Sequence, residues 1–299
     1  MPQRLITLVT SALLIGGLFV GAPGPVLAVA DSMNVYIGFN SSTSGGSCAD
    51  PDYTVDGSDD STAIDGAAND TAAGGTLHFC PGTYDVNATI VLTGKDITLS
   101  GASATTTILD GRATWTSGAY VSGGVQIVYS TDDVAIHNLT FRHGFASSDG
   151  GAINADTVIA TSSTFTNNSA NYGGAISGYD SATVTNSTFM KNSAESSGGA
   201  VITYNGIIAR SRFTRNTAGE HGGAVALWDQ NSDDLQQVRG NRFSGNTASG
   251  GGAITLRSCE TTYTRSQVRS VERVNRFSGN RATQQRRTNN IELWVDDCL

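Results

Sequence analysis

The chain contains little charge and little proline. Only 15% of its 299 residues are charged and only 5 are Pro, whereas 36 are Gly. The shortage of proline excludes collagen, whose triple helix needs abundant Pro together with Gly at every third position. Hydrophobic residues make up 38% of the chain, which is enough to form a core and argues against wholesale disorder. We therefore expect an ordered fold with a sizeable core.

Long apolar runs are missing everywhere except at the N-terminus. Residues 5–20 are largely apolar, follow a short basic start at Arg4, and precede the small residues at 28–30. This order is typical of a secretory signal peptide, so we assign residues 1–30 to a signal that is cleaved on export. Because the run approaches the ~20 residues that span a bilayer, an uncleaved anchor is the alternative. We expect no membrane span after removal of the signal.

Cysteine is also scarce, with 4 residues that lie in pairs near the two ends of the chain. The sequence has no Cys-x-x-Cys motif and no His/Cys spacing of a metal site. An exported chain favours disulfides, and four cysteines permit three pairings. From their positions we predict the bridges Cys48–Cys80 and Cys259–Cys298.

Charge of each sign is concentrated in a different part of the chain. The net charge is −8, yet residues 201–299 contain 13 Arg against 9 acidic residues. Seven of these arginines are candidates to meet an acidic polysaccharide or a cell surface, and the alternative is that they are simply solvated. They are Arg265, Arg269, Arg273, Arg276, Arg281, Arg286 and Arg287. Export and the acidic total argue against nucleic acid as a partner.

Two motifs recur from about residue 141 onward. Gly-Gly-Ala-Ile/Val begins at Gly150, Gly173, Gly198, Gly222 and Gly251, and Phe-x-x-Asn begins at Phe165, Phe189, Phe213, Phe243 and Phe277. Phe141 begins an earlier, degenerate copy, and successive phenylalanines are 24, 24, 24, 30 and 34 residues apart. A near-constant period of this size indicates a solenoid.

The residues within each copy favour strands over helices. Segments such as 181–185 alternate small or apolar residues with polar ones and contain branched residues. Gly-Gly supplies a turn with positive φ, after which Ile176 and its equivalents point inward. Val184 and Phe189 both point inward only if residues 185–187 contain a bend. The Asn of the second motif then stacks on its equivalents at ~4.8 Å and exchanges amide hydrogen bonds with them. The predicted ladder consists of Asn168, Asn192, Asn216, Asn246 and Asn280.

These paired motifs resemble the repeats of bacterial polymorphic outer-membrane proteins and, more broadly, the right-handed parallel β-helix proteins of the pectate-lyase-like superfamily. The resemblance covers about residues 141–299, and residues 74–84 and 97–102 look like the first coils of such a helix. It implies an all-β fold, a single-stranded right-handed parallel β-helix, with a short capping helix near residues 63–73 that protects the open end. The implied parts are the cap and first strand at 31–84 and the β-helix at 85–299.

Two departures from these families limit what the resemblance implies about function. The chain ends at Leu299 soon after the last repeat, so we expect no autotransporter barrel and no surface attachment by that route. The sequence also has no convincing Arg-Ile-Lys-like or Gly-His-Gly-like segment of the pectinases. Pectin cleavage is therefore not inferred from the fold alone.

Aligning the copies on their first Gly gives columns of residues that run along the solenoid. The sixth residue after that Gly is Tyr179, Tyr204 or Trp228 in three consecutive copies, and a degenerate last copy adds Trp294. Because strand side chains alternate, this column points outward, where rings of this kind suit the faces of sugars. The alternative is that the rings only stack on one another and shield the edge of the coil.

The next column contains acidic and amide side chains. Asp180, Asn205 and Asp229 would place two carboxylates two coils apart, roughly 9 to 10 Å. This separation is near the upper limit of about 6.5 to 9.5 Å for the acid pair of an inverting glycosidase. The same oxygens could hold Ca²⁺, and no other cofactor is expected. His221 and Arg257 are candidates to assist proton abstraction or to neutralise a sugar carboxylate. The simpler alternative is that these are solvated turn residues.

The sequence therefore favours a monomeric, secreted or cell-surface β-helix protein that presents an aromatic and acidic face to a glycan or another surface, as an adhesin does, without catalysis. One alternative is a secreted polysaccharide lyase or glycoside hydrolase that acts on a uronate or other polysaccharide. Another is a purely structural component of an envelope or matrix. The two lengthened copies add residues 231–240 and 261–272, which we expect to form loops beside the binding face.

Overall fold

The computed structural model describes residues 32–40, 45–112, 124–228, 237–258, 265–284 and 290–295. Over these ranges the chain forms a parallel β-helix, in which each strand pairs in parallel with its equivalents in the preceding and following coils. The all-β solenoid predicted from the repeats is confirmed. The proposed signal peptide lies outside the described residues.

Sheet 1 carries the residues that follow the Gly-Gly-Ala turns and has 14 strands. They are β1 (Ser32–Gly38), β2 (Tyr53–Thr54), β3 (Thr71–Phe79), β5 (Ile90–Leu92), β6 (Ile97–Gly101), β8 (Val128–Ser130), β9 (Asp133–His137), β11 (Ile153–Thr161), β14 (Ile176–Thr185), β17 (Val201–Ala209), β20 (Val225–Leu227), β21 (Val238–Arg239), β24 (Ile254–Ser258) and β27 (Ile291–Val295). The main path in space is β2-β1-β3-β6-β9-β11-β14-β17-β20-β24-β27. The path follows chain order from β3 onward, as expected when each coil stacks on the one before it.

Sheets 2 and 3 complete each coil. Sheet 2 carries the Phe-x-x-Asn phenylalanines and consists of β4 (Gly82–Asp85), β7 (Thr107–Asp110), β10 (Thr140–Arg142), β12 (Thr164–Thr166), β15 (Thr188–Met190), β18 (Arg212–Thr214), β22 (Arg242–Ser244) and β25 (Arg276–Ser278). Sheet 3 consists of β13 (Ser169–Tyr172), β16 (Ser193–Ser197), β19 (Thr217–Ala218), β23 (Thr247–Ala248) and β26 (Arg281–Ala282). The three sheets enclose one continuous hydrophobic core.

Each coil turns its corners at residues with a left-handed backbone. Between sheets 1 and 2 the corner residue is Asn186 in the coil of β14, with φ of 51°, which confirms the predicted bend at 185–187. Between sheets 3 and 1 it is the first Gly of Gly-Gly-Ala, for example Gly198 with φ of 67°. The second Gly is needed for a different reason. A Cβ on Gly199 would lie 2.2 Å from the carbonyl oxygen of Gly223 in the next coil.

The phenylalanines of sheet 2 form a continuous stack inside the solenoid. Neighbouring ring centroids are 4.8 to 5.3 Å apart and the ring planes are within 10° of parallel. The stack consists of Phe141, Phe165, Phe189, Phe213, Phe243 and Phe277. The inward direction predicted for these residues is confirmed.

Two hydrogen-bonded ladders run beside this stack. In the predicted ladder, each buried Asn from Asn168 to Asn246 donates its side-chain N–H to the amide oxygen of its equivalent in the next coil, as Asn192 does to Asn216 at 3.0 Å. The second ladder was missed by the sequence analysis: each backbone N–H donates to the side-chain oxygen of the next member. Its members are Ser163, Ser187, Ser211, Asn241 and Asn275. Together the ladders satisfy polar groups that the corners would otherwise leave buried and unpaired.

The N-terminal part contains the expected helix and one of the expected disulfides. Helix α1 (Ser61–Asp70) buries Ile64, Ala67 and Ala68 against the first strands. The helix ends before residue 73, the predicted limit, because Thr71 has an extended backbone and begins β3. The Cys48–Cys80 bridge is present, with a Cα–Cα distance of 5.4 Å. Both residues of the predicted Cys259–Cys298 bridge lie outside the described residues.

The second lengthened copy forms a helix rather than the expected loop. Helix α2 (Arg265–Val274) places Val268 and Val271 against the core and leaves Arg269 and Arg273 exposed. Valines three residues apart in a segment of Arg, Ser, Gln and Glu follow the helical period. Within the described ranges, neither helix is long and apolar enough to cross a membrane.

A carboxylate at the end of β7 accepts hydrogen bonds from three groups. The Asp110 side chain accepts from Arg142 Nε at 2.7 Å and from the Arg112 backbone N–H at 3.0 Å, and it lies 2.9 Å from His143 Nδ1. Burial raises the pKa of Asp110, but the hydrogen bonds from His143, the Arg112 backbone and Arg142 outweigh it and lower the pKa to about 2. The charged form of this side chain therefore stabilises the fold.

We expect Asp110→Asn to lower the free energy of unfolding by about 2 kcal/mol at neutral pH. Because the pKa is lower in the folded state, this stabilisation is complete above the unfolded pKa of about 3.9 and is lost as the pH falls toward 2. The difference between wild type and variant should therefore shrink in urea unfolding curves taken from neutral to acid pH. A difference that stays constant over that range would show that the charge of Asp110 is not its source.

Candidate functional site

A groove with a volume of about 420 Å³ crosses the outer side of sheet 1 over β8, β11, β14 and β17, and it extends to Trp228 just after β20 and to Tyr172 at the end of β13 in sheet 3. Its volume lies within the range of small-ligand sites. Five aromatic side chains and two carboxylates contribute to its lining: Tyr129, Tyr172, Tyr179, Tyr204, Trp228, Asp149 and Asp156. The other lining residues are Ser, Thr, Asn, Gly, Ala and Ile, and no Lys, Arg or His is among the residues described there.

Three of the aromatic rings form the row that the sequence columns predict. The centroid of Tyr204 is 5.6 Å from that of Tyr179 and 5.8 Å from that of Trp228, with interplanar angles of 64° and 83°. Tyr172 adds a fourth ring, whose centroid is 5.9 Å from that of Trp228. These edge-to-face contacts stabilise the row. Tyr179 is 68% exposed, so one ring of the row is open to a ligand.

A β-bulge in β14 places Tyr179 at the surface. Gly178 pairs with Thr203 and Ser181 pairs with Asn205, so the two residues Tyr179 and Asp180 lie opposite the single residue Tyr204. An extra residue of this kind redirects the side chains around it. The sequence contains the signal, because the segment from Gly173 to Phe189 is one residue longer than the equivalent segments before and after it.

The bulge corrects the predicted acidic column. Asn205 pairs with Ser181 and not with Asp180, because alignment on the first Gly ignores the extra residue. Asp180 is exposed and is not among the groove residues; its backbone oxygen accepts a hydrogen bond from Asn205 Nδ2 at 3.2 Å. Asp229 lies outside the described residues. The separation of the predicted acid pair and the Ca²⁺ site of Asp180, Asn205 and Asp229 therefore stay predictions.

The groove has a different pair of carboxylates, Asp149 and Asp156. Asp149 is half-buried, and burial raises the pKa of its carboxyl group. Asp156 is exposed and lies opposite the bulge of β14. Asp149 was missed because it belongs to the column just before the first Gly, where it pairs with Tyr172. An alignment of that column would have predicted that Asp149 and Tyr172 lie in the groove.

Arg257 lies at the Trp228 end of the aromatic row. Its guanidinium carbon is 5.0 Å from the centre of the Trp228 ring, which is the geometry of a cation–π contact. Trp294 pairs in register with Arg257 along β27, although its side chain lies outside the described part of the structure. The sequence therefore places Arg257 correctly one coil beyond Trp228, and the structure adds that its charge rests on that ring.

His221 belongs to a second cavity, with a volume of about 460 Å³. Its Nδ1 lies 2.8 Å from Oε2 of Glu292, which also accepts a hydrogen bond from the Thr255 hydroxyl at 2.8 Å. The structure thus brings together the aromatic candidates Tyr179, Tyr204 and Trp228 but not the catalytic candidates Asp180 and His221. Within the described ranges, no group of three or more His, Cys, Asp or Glu residues has the arrangement of a metal site.

Two segments of the chain match a known family of repeats. Residues 162–179 and 242–256 match the model of the Chlamydia polymorphic membrane protein repeat. Each segment runs from a strand of sheet 2 to the strand that follows a Gly-Gly-Ala turn, so both motifs of the repeat are included. The chain thus contains segments similar to the repeats of this family, which is associated with the cell surface and outer membrane. Membership of the pectate-lyase-like superfamily stays a prediction.

Searches of the curated proteins and of the solved structures returned no match.

Proposed function

We propose that the protein is exported to the cell surface, where the groove of sheet 1 binds a glycan chain without cleaving it. The observation that carries this proposal is that five aromatic side chains from successive coils line one groove. Tyr and Trp rings offer an apolar face together with a hydroxyl or indole hydrogen-bond donor. A chain of sugars needs both, because each sugar ring has apolar C–H faces and polar hydroxyl edges.

The shape and charge of the groove indicate the class of glycan. Because the lining comes from five successive coils stacked along the solenoid axis, the site suits an extended chain more than a single sugar. The two carboxylates Asp149 and Asp156 line the groove, while the charge of Arg257 is held over the ring of Trp228 at one end of the aromatic row. A uronate would be repelled by these carboxylates. We therefore propose a neutral glycan as the ligand, bound in the manner of an adhesin.

A second candidate function, glycoside hydrolysis, is favoured by one specific observation. Asp149 has a raised pKa because of its burial and shares the groove with a second carboxylate, Asp156. Hydrolysis of a glycosidic bond requires two carboxyl groups, one of which acts as the acid, and a raised pKa favours that role for Asp149. In this second function, Asp149 and Asp156 take the catalytic roles that the sequence predicts for Asp180 and Asp229.

We expect Tyr179→Ala to weaken glycan binding by about tenfold or more without lowering the unfolding temperature. Its ring is 68% exposed, so its removal costs contact with a ligand and little packing. Binding of the mature chain to neutral and uronate oligosaccharides is measured by calorimetry, with and without Ca²⁺. The matched control is Tyr36→Ala, since Tyr36 stacks on His78 outside the groove.

The same experiments separate the remaining functions. If wild type shortens the oligosaccharides and the Asp149→Asn variant does not, the protein is a hydrolase and the noncatalytic proposal is overturned. Equal loss of binding in the Tyr36 and Tyr179 variants would place the ligand elsewhere. If wild type binds none of the glycans, the purely structural role is left. Export is tested by the N-terminal mass of the protein recovered outside the cell, which should lack residues 1–30.

A further inference from the structure

Three arginines form a line on the outer side of sheet 2. Arg212, Arg242 and Arg276 are the first residues of β18, β22 and β25, and they pair with one another in register. All three are exposed. Because neighbouring strands are about 4.8 Å apart, the three side chains are spread over about 10 Å parallel to the solenoid axis.

This arrangement is unfavourable for the protein alone. Like charges on directly opposite residues of neighbouring strands destabilise a sheet. In the three preceding coils the same column is neutral and contains Thr140, Thr164 and Thr188. The fold therefore does not need arginine at these positions, and a neutral residue of ordinary strand propensity fits the column.

The surroundings of the line are also basic. Further exposed arginines lie in the same coils or on α2, which packs against β21 and β25. They are Arg210, Arg215, Arg239, Arg269 and Arg273. The ion pairs found among the described residues involve Arg112, Arg142, His143 and His221, and the three aligned arginines take no part in them. The net charge of the chain is −8, so the positive charge of this part of the surface is opposite in sign to that of the whole chain.

We propose that Arg212, Arg242 and Arg276, the arginine ladder, bind a linear polysaccharide that carries carboxylate or sulfate groups. A guanidinium group offers paired N–H donors that match the oxygens of such an anion. Because the charges follow a line along the axis, an extended polyanion can offer an anionic group to each of them in turn. The site lies on a different sheet from the aromatic groove, so it is independent of the function proposed for that groove.

The test compares wild type with the triple variant R212T/R242T/R276T. Threonine is the residue of the preceding coils, so the variant should keep its unfolding temperature or raise it. The probes are a sulfated glycosaminoglycan and polygalacturonate. Wild type should bind at least one of them, with an affinity that falls as salt rises, because these charges are exposed to solvent. The triple variant should bind at least about tenfold more weakly.

The matched control is Arg142→Thr. Arg142 lies on the same sheet, but its charge is already paired with Asp110, and its in-register neighbour is Thr166. It should leave polyanion binding unchanged, as should Tyr179→Ala in the aromatic groove. Absence of binding to both probes, or equal loss in the triple variant and the Arg142 control, would overturn the proposal. So would binding to vesicles of anionic phospholipid but not to either polysaccharide, which would identify a membrane surface as the partner.

Discussion

Asn216→Ala should lower the free energy of unfolding by about 4 kcal/mol, a large part of the 5 to 15 kcal/mol that stabilises a typical domain. The Asn216 side chain donates to Phe189 O at 3.1 Å and to Asn246 Oδ1 at 3.0 Å. Its oxygen accepts from the backbone and side-chain nitrogens of Asn192, both at 3.0 Å. In the alanine variant these buried groups lose their hydrogen-bond partner and have no water to replace it. Each unsatisfied group costs about 1 to 3 kcal/mol.

Urea unfolding of the variant measures this loss, and two further substitutions isolate its cause. Asn205→Ala removes an exposed amide that makes one hydrogen bond, so it should change stability by less than about 0.5 kcal/mol. Asn216→Asp keeps the shape but points a carboxylate oxygen at Phe189 O and Asn246 Oδ1, and it should cost more than alanine. An Asn216→Ala loss no larger than that of Asn205→Ala would mean that the ladder contributes little to stability.

Phe189→Ala should cost about 3 to 5 kcal/mol, because it opens a cavity in the middle of the phenylalanine stack. Its ring is fully buried, and its centroid lies 4.8 Å from that of Phe165 and 4.9 Å from that of Phe213. The two flanking rings cannot close the gap, since the backbone hydrogen bonds between coils fix their spacing. The loss is measured by the same urea unfolding curves.

One phenylalanine, Phe277, and one methionine, Met190, serve as comparisons for Phe189. Phe277 is the half-buried last ring of the stack and has one ring neighbour among the described residues, so Phe277→Ala should cost clearly less. Met190 follows Phe189 in β15 but is 38% exposed, and Met190→Ala should be close to neutral. Equal losses at Phe189 and Phe277 would show that the stack does not depend on contact from both sides.

The sequence predicts the regular part of this fold well, because each inward position recurs once per coil. A single Phe or Asn says little, but the alignment of Asn168 with its four equivalents specifies a ladder and thus parallel pairing. The second ladder was harder to recognise, since its members change from Ser163 to Asn275 along the chain. Both side chains supply the same hydrogen-bond acceptor, so the column keeps its chemistry while the residue type changes.

The parts that the sequence analysis missed are those that depart from the repeat. The helix Arg265–Val274 is an insertion with a helical period inside a β pattern. The bulge at Tyr179 and Asp180 shifts the register by one residue, which moves Asp180 out of the predicted column. Asp149 enters the groove from the far side of a Gly-Gly corner, where strand alternation no longer says which way a side chain points.

The groove has a mechanical consequence for the solenoid. Each coil pairs only with the coils next to it, so opening can begin at one place and spread from coil to coil with a separate free-energy step each time. A chain of sugars that touches Tyr129 of β8 and Trp228 after β20 at once would connect coils that share no backbone hydrogen bond. Occupied, that stretch would open as a single cooperative unit, and the exchange of its amide hydrogens with solvent would report one common free energy of opening.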